Sequence, residues 1–118
     1  MTKEEVIQYF NNYQDTTIDC PFPEDFSSVV IRHTLTKKWY ALLMTVKGEK
    51  VCDNRPLVDV INIKCDEILS QILREKYIGI IPAYHMNKKK WITIILDKDL
   101  PSLEIISLIE QSFDLTTK

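Results

Sequence analysis

The sequence predicts an α+β domain: one mainly antiparallel five-stranded sheet with helices packed on it. Three observations predict it. Apolar residues recur at helical spacing in three segments, and five further segments are β-branched or alternate at strand spacing. The strands fall in consecutive groups joined by short polar turns, not by alternating helices, which makes neighbouring strands antiparallel. The length of 118 residues suffices for one ordinary core and not for two, so a single domain spans 1–118.

The first helix opens with the capping box Thr2-x-x-Glu5, whose hydroxyl and carboxylate satisfy free amide donors. Val6, Phe10 and Tyr13 then share one face, with Ile7 beside them. Asp15 to Pro23 reads as a connection, because Pro21-Phe22-Pro23 forbids helix. Phe26 to Thr34, with Val29, Val30 and Ile31, reads as the first strand. The polar turn Leu35-Thr36-Lys37-Lys38 leads into a second strand, Trp39 to Val46, completing a hairpin. After the loop Lys47 to Pro56, Val58 to Lys64 is the third strand. Asp66 caps a second helix whose expected buried face is Ile68, Leu69, Ile72 and Leu73. Arg74 and Lys76 complement the dipole of its last turn, and Gly79 is its stop. Ile80 to Met86 is the fourth strand, confined by Pro82 to an edge or bulge. The turn Asn87-Lys88-Lys89 leads into the fifth, Trp91 to Leu96. A third helix opens at Pro101-Ser102 and buries Ile105, Ile106, Ile109 and Phe113. The order is α-β-β-β-α-β-β-α.

Composition excludes several function classes. Hydrophobic residues at 45% and charged residues at 27% describe a water-soluble globule. Gly48 and Gly79 are the only glycines, too few for a dinucleotide fingerprint or a P-loop. Cys20, Cys52 and Cys65 form no CxxC pair, and unpaired thiols suit a reducing cytoplasm, the expected location. No signal pattern opens the chain, and no apolar run approaches the ~20 residues of a membrane span. Membranes are therefore not an expected partner.

The net charge of −2 hides an uneven distribution. Residues 1–25 set Lys3 against six acids, whereas residues 32–50 and 74–90 each carry +4. Whether these two basic segments meet in space decides whether a basic patch exists.

The stretch Ile81-Pro82-Ala83-Tyr84-His85-Met86-Asn87-Lys88-Lys89-Lys90-Trp91, followed by Ile94-Ile95-Leu96-Asp97, resembles the signature of the MmcQ/YjbR family. Pro21-Phe22-Pro23-Glu24-Asp25, Lys38-Trp39-Tyr40-Ala41-Leu42, Ile61-Asn62-Ile63-Lys64-Cys65-Asp66 and Leu100-Pro101 resemble further family segments in order and spacing. Lys90 stands where the family often has histidine, and Asp97-Lys98-Asp99 lacks its usual glycine after the aspartate. The resemblance implies an α-β(3)-α-β(2)-α two-layer fold, shared in outline with type III secretion chaperones. It also implies a double-wing mode of DNA binding, in which paired hairpins present basic tips.

Each candidate site has a functional and a structural reading. Asn87-Lys88-Lys89-Lys90 on a hairpin tip would contact phosphates, with Asn87 near enough to read a base edge. The bland alternative is a solvated turn whose lysines guard an exposed edge. As strand residues, Lys88 and Lys90 would face one way and Lys89 the other. Arg32, Lys37 and Lys38, with His33 nearby, mark the other hairpin. If the hairpins lie side by side, their cations would address double-stranded DNA; if apart, each is ordinary surface.

His85 lacks a third group to make it a general base, so Tyr84, His85 and Trp91 are expected to anchor the hairpin. Cys65 at a helix entrance faces Asp66 and Glu67, which oppose thiolate, so an inert thiol is expected. Cys20, His33, Cys52, Cys65 and His85 show no paired ligand spacing, and no metal or cofactor is expected. Trp39 and Trp91 would stack on bases, but their apolar strands point to packing. Asp97 and Asp99 read as caps. The sequence thus predicts no catalytic site. It leaves two functions open: DNA binding through hairpin tips, or a module that binds a protein partner or itself.

Overall fold

The computed structural model describes residues 1–20 and 28–117; the Pro21-Phe22-Pro23-Glu24-Asp25 segment and the expected strand start at Phe26 lie outside them. The described elements are α1 (Lys3–Asn11), β1 (Thr16–Asp19), β2 (Val29–His33), β3 (Trp39–Lys47), a 3-10 turn (Gly48–Val51), β4 (Leu57–Lys64), α2 (Glu67–Lys76), β5 (Ile80–Pro82), β6 (Trp91–Ile95) and α3 (Ser102–Leu115). The capping box forms as expected: Glu5 N donates to Thr2 Oγ1 at 3.1 Å and Thr2 N to Glu5 Oε1 at 2.9 Å.

The strands form one sheet in the order β1-β2-β3-β4-β6-β5, antiparallel at every pairing. It has six strands among the described residues, where five were expected. The extra one is β1, inside the stretch expected to be a connection, where it pairs Thr16–Asp19 with His33–Val30. Four residues are too few to display a period, yet Thr16, Thr17 and Ile18 are all β-branched and suit an edge strand. The fourth expected strand, by contrast, ends at Pro82, four residues early. Proline donates no ladder hydrogen bond, and residues 83–90 leave the sheet.

One face of the sheet carries Ile31, Leu43, Ile61, Ile63, Ile92 and Ile94, packed with Val6 and Phe10 of α1 and Ile105, Ile109 and Phe113 of α3. The opposite face carries a smaller cluster of Val30, Leu42, Met44, Val58, Val60 and Ile95. Strand alternation sends successive residues to these two cores, with one exception. Ile31 pairs with Ala41 but Arg32 with Trp39, so Tyr40 is an extra residue, and Tyr40 and Ala41 both enter the larger core. The β3–β4 ladder ends at Ala41 and Ile63, which leaves the Tyr40 carbonyl and the Lys64 amide beyond it. Ser112 of α3 joins them: its hydroxyl donates to Tyr40 O at 2.6 Å and accepts from Lys64 N at 2.8 Å.

Two helices turn differently from expectation. On α2, Ser70 and Leu73 are buried and Leu69 is half-buried, but Ile68 and Ile72 are 70% and 55% exposed. At 100° per residue, a helix that points Ser70 and Leu73 inward carries Ile68 and Ile72 to its far side. On α3, Leu108 takes the core place expected of Ile106, which is half-buried.

Candidate nucleic-acid interface

The β2–β3 turn is closed by His33 N donating to Lys38 O and Lys37 N to His33 O, both at 2.9 Å. Closure puts Lys37 at φ 67°, a left-handed conformation that usually selects glycine or asparagine. Lys37 and Lys38 are exposed, and Leu35 stands 87% exposed at the tip. Arg32 is not part of this free charge. It pairs with Asp19 at 3.2 Å and lies 5.5 Å over the Trp39 ring, so it is spent within the sheet.

The second tip is built by a buried polar relay. Asn62 and Thr93, both fully buried, are cross-strand partners on β4 and β6. Asn62 Nδ2 donates to Tyr84 O at 2.8 Å, Tyr84 N donates to Thr93 Oγ1 at 2.8 Å, and Thr93 Oγ1 donates to Asn62 Oδ1. The Tyr84 main chain is thereby the anchor of the segment. His85, at φ 62°, is exposed; its ring rests 3.9 Å from that of Tyr84 and makes no hydrogen bond among the described residues. The expected histidine anchor is therefore a stacking contact at most. Asn87 turns the chain: its Oδ1 accepts from Lys89 N at 2.9 Å, and its carbonyl accepts from Trp91 N at 2.9 Å. That carboxamide oxygen is committed to the turn and not offered to a base. Lys88, Lys89 and Lys90 lie in a turn, so strand alternation does not sort them.

The two tips point from the same end of the sheet. Trp39 opens β3, Lys64 closes β4 and Trp91 opens β6, with Lys64 and Trp91 in register. The strand β4 lies between β3 and β6, so their ends stand about 10 Å apart. Lys64 is the cation that sequence reasoning missed; the only signal for it was its place at the end of an alternating strand. With Lys89, Lys90, Asp66 and Glu67 it lines a shallow hollow of about 370 Å³. Asp66 is engaged there, accepting from Leu69 N at 3.2 Å as the α2 cap. Cys65 N donates to Lys90 O at 2.8 Å and fixes the lysine turn to the β4 exit.

The remaining candidates are structural. His33 is buried, with its Nε2 2.7 Å from Thr116 Oγ1 and its ring 4.3 Å from that of Phe113. Burial, then Lys38, pushes its pKa below the ordinary histidine value. The Cys65 thiol is pushed up to about 11 by burial and Asp66, which leaves it protonated and unreactive. Trp39 is half-buried against the smaller core. Asp99 caps backbone, accepting from Ile78 N and Gly79 N at 2.7 Å each, and Asp97 takes the left-handed position, φ 53°, without a glycine. No group of three metal-ligating side chains occurs among the described residues, and no helix there is long and apolar enough to cross a membrane.

An antiparallel sheet backed by helices, with two lysine-bearing turns at one end, defines a small YjbR-like α+β domain. The chain belongs to the YjbR family, whose model matches residues 12–115. It is 39% identical over 117 residues, 98% of each chain, to the uncharacterized protein YyaQ of Bacillus subtilis. A crystal structure of a Pseudomonas syringae protein superposes with a TM-score of 0.92 at 45% identity, covering 98% of this chain and 99% of that one. The DUF419-domain protein DR2400 of Deinococcus radiodurans gives 0.77 at 26% identity over 99% of this chain and 79% of its own. Family and α+β class are those the Tyr84-to-Trp91 block implied, with β1 added to the first group of strands.

Proposed function

We propose that this protein binds double-stranded DNA through its phosphate backbone, using the two lysine turns as a pair. The observation that carries the reading is their shared end of the sheet: Lys37 and Lys38 on one side of β4, Lys88, Lys89 and Lys90 on the other, Lys64 between. A separation of about 10 Å at the strand ends is comparable with a major groove about 12 Å wide. Both turns are pinned by hydrogen bonds to their backbone, so contact has to order the lysine side chains and not the turns that carry them. With Asn87 engaged, backbone charge dominates and sequence preference is slight.

Fluorescence anisotropy of a labelled duplex, titrated at ~50 and ~200 mM salt, tests this. Binding should weaken steeply with salt, at a log–log slope of about −0.9 per phosphate engaged. A folded Lys88/Lys89/Lys90→Ala variant should lose most of it. Absence of binding at the lower salt with protein near ~100 µM refutes the reading, because nonspecific affinities fall within that range.

A second reading, a protein-interaction module, is favoured by a different observation: the exposed isoleucine pair on α2.

A further inference from the structure

We infer that His85 is a phosphate-contacting residue of the second tip, the counterpart there of Lys37 in the first. The inference rests on the DNA reading and adds a residue to that interface. Each tip holds one non-glycine residue at positive φ, Lys37 at 67° and His85 at 62°. Histidine is tolerated in this region, but glycine occupies it without strain. Strain of this kind persists where the surrounding structure over-determines the backbone, and it gathers at binding sites. Around His85 the constraint comes from both sides. Asn62 and Thr93 hold the Tyr84 carbonyl and amide before it, and the Asn87 carbonyl, accepting from Trp91 N, closes the turn after it.

The side chain held in this way is open to a ligand. The chain's two histidines are opposites. His33 is buried with its Nε2 2.7 Å from Thr116 Oγ1, whereas His85 is exposed and neither of its ring nitrogens has a hydrogen-bond partner among the described residues. The ring rests on that of Tyr84, centroids 3.9 Å apart, so it has less freedom to lose on contact. An imidazole carries at least one N–H, a donor that suits a phosphate oxygen. Its place also fits. Asn62 and Thr93, which hold Tyr84, pair two rungs in from Lys64 and Trp91 at the end of the sheet, about 7 Å along the strands. His85 comes next in the chain, three positions ahead of Lys88, between that rung and the lysine turn.

Duplex anisotropy of the full chain at ~50 mM salt, beside His85→Gly and His85→Lys, is the test, with a thermal melt of each protein. His85→Gly removes the contact and relieves the backbone. Affinity should fall by about three- to tenfold, the worth of one hydrogen bond, with no fall in melting temperature. His85→Lys keeps a donor toward phosphate and adds a charge, in a conformation that Lys37 already takes, so its affinity should match or exceed wild type. If wild type binds and His85→Gly binds equally well, the inference is overturned and the DNA reading stands. A loss that His85→Lys does not recover, or a lower melting temperature in His85→Gly, assigns the imidazole to the shape of the tip and overturns it as well. No binding by wild type refutes the DNA reading and the inference together.

Discussion

At the residue scale, a few polar side chains hold places that the backbone alone leaves open. Ser112 is the clearest. The β3–β4 ladder stops one pair short of Tyr40 and Lys64, and the Ser112 hydroxyl partners both of the groups left over. Ser112→Ala leaves a buried carbonyl unpaired, at a cost of about 1–3 kcal/mol, and a half-buried amide, at less. Urea denaturation should show a lower midpoint at unchanged slope. His33 makes a prediction of a different kind. Its folded pKa lies below the ordinary value of about 6.5, so the unfolded chain binds the proton more tightly. Its contribution is complete above that value and is lost as pH falls from there toward the folded pKa. Stability of the wild type should therefore fall as pH drops below about 6.5, and His33→Gln should flatten that part of the profile. An unchanged slope in the variant would show that the imidazole is not the group responsible.

At the element scale, the contacts that decide the outcome are those between segments distant in sequence. The loop after β3 depends on Gly48, where a Cβ would lie 1.9 Å from the Arg55 carbonyl oxygen. That oxygen is main chain and cannot yield as a flexible side chain would. The same loop is held by Asp53, whose buried carboxylate accepts from Arg55 Nη2 at 3.0 Å and from Lys98 Nζ at 2.8 Å. These bonds keep its pKa well below the carboxylate range. Gly48→Ala should cost several kcal/mol, in the class of forced backbone overlap, and a thermal melt would register it. Such effects mark the limit of what was legible. The capping box, the β2–β3 hairpin, β4 and α3 could all be read, because each is written in local period and cap chemistry. The ion cluster joining Asp53 to Lys98 could not, since 45 residues separate its members. Nor could the rotation of α2: Ile68, Leu69, Ile72 and Leu73 form a stripe that looks core-facing, and only packing of Ser70 and Leu73 shows that half of it turns outward. The strand β1 was hidden by its brevity, and the early exit at Pro82 by the apolar run around it.

At the scale of the whole molecule, the topology answers the question that charge counting raised. The basic segments 32–50 and 74–90 are remote in sequence, and β4 passing between β3 and β6 brings their turns to one end of the sheet. Net charge of −2 is no obstacle if the field is local, but it demands that the two tips act together. Joint action has a measurable signature. Lys37/Lys38→Ala and Lys88/Lys89/Lys90→Ala should flatten the salt dependence of duplex binding by up to about 1.8 and 2.7 in log–log slope, at roughly 0.9 per phosphate contact removed. Arg32→Ala should leave the slope unchanged, because Asp19 and Trp39 already occupy that guanidinium. Its effect belongs instead to stability, measured without DNA. Linkage through one rigid sheet also means that either tip raises the effective concentration of the other at the same duplex. Losing either tip should therefore weaken affinity by far more than half. A loss confined to one of the two variants would indicate that a single turn carries the binding and that the pairing across β4 is a property of the fold alone.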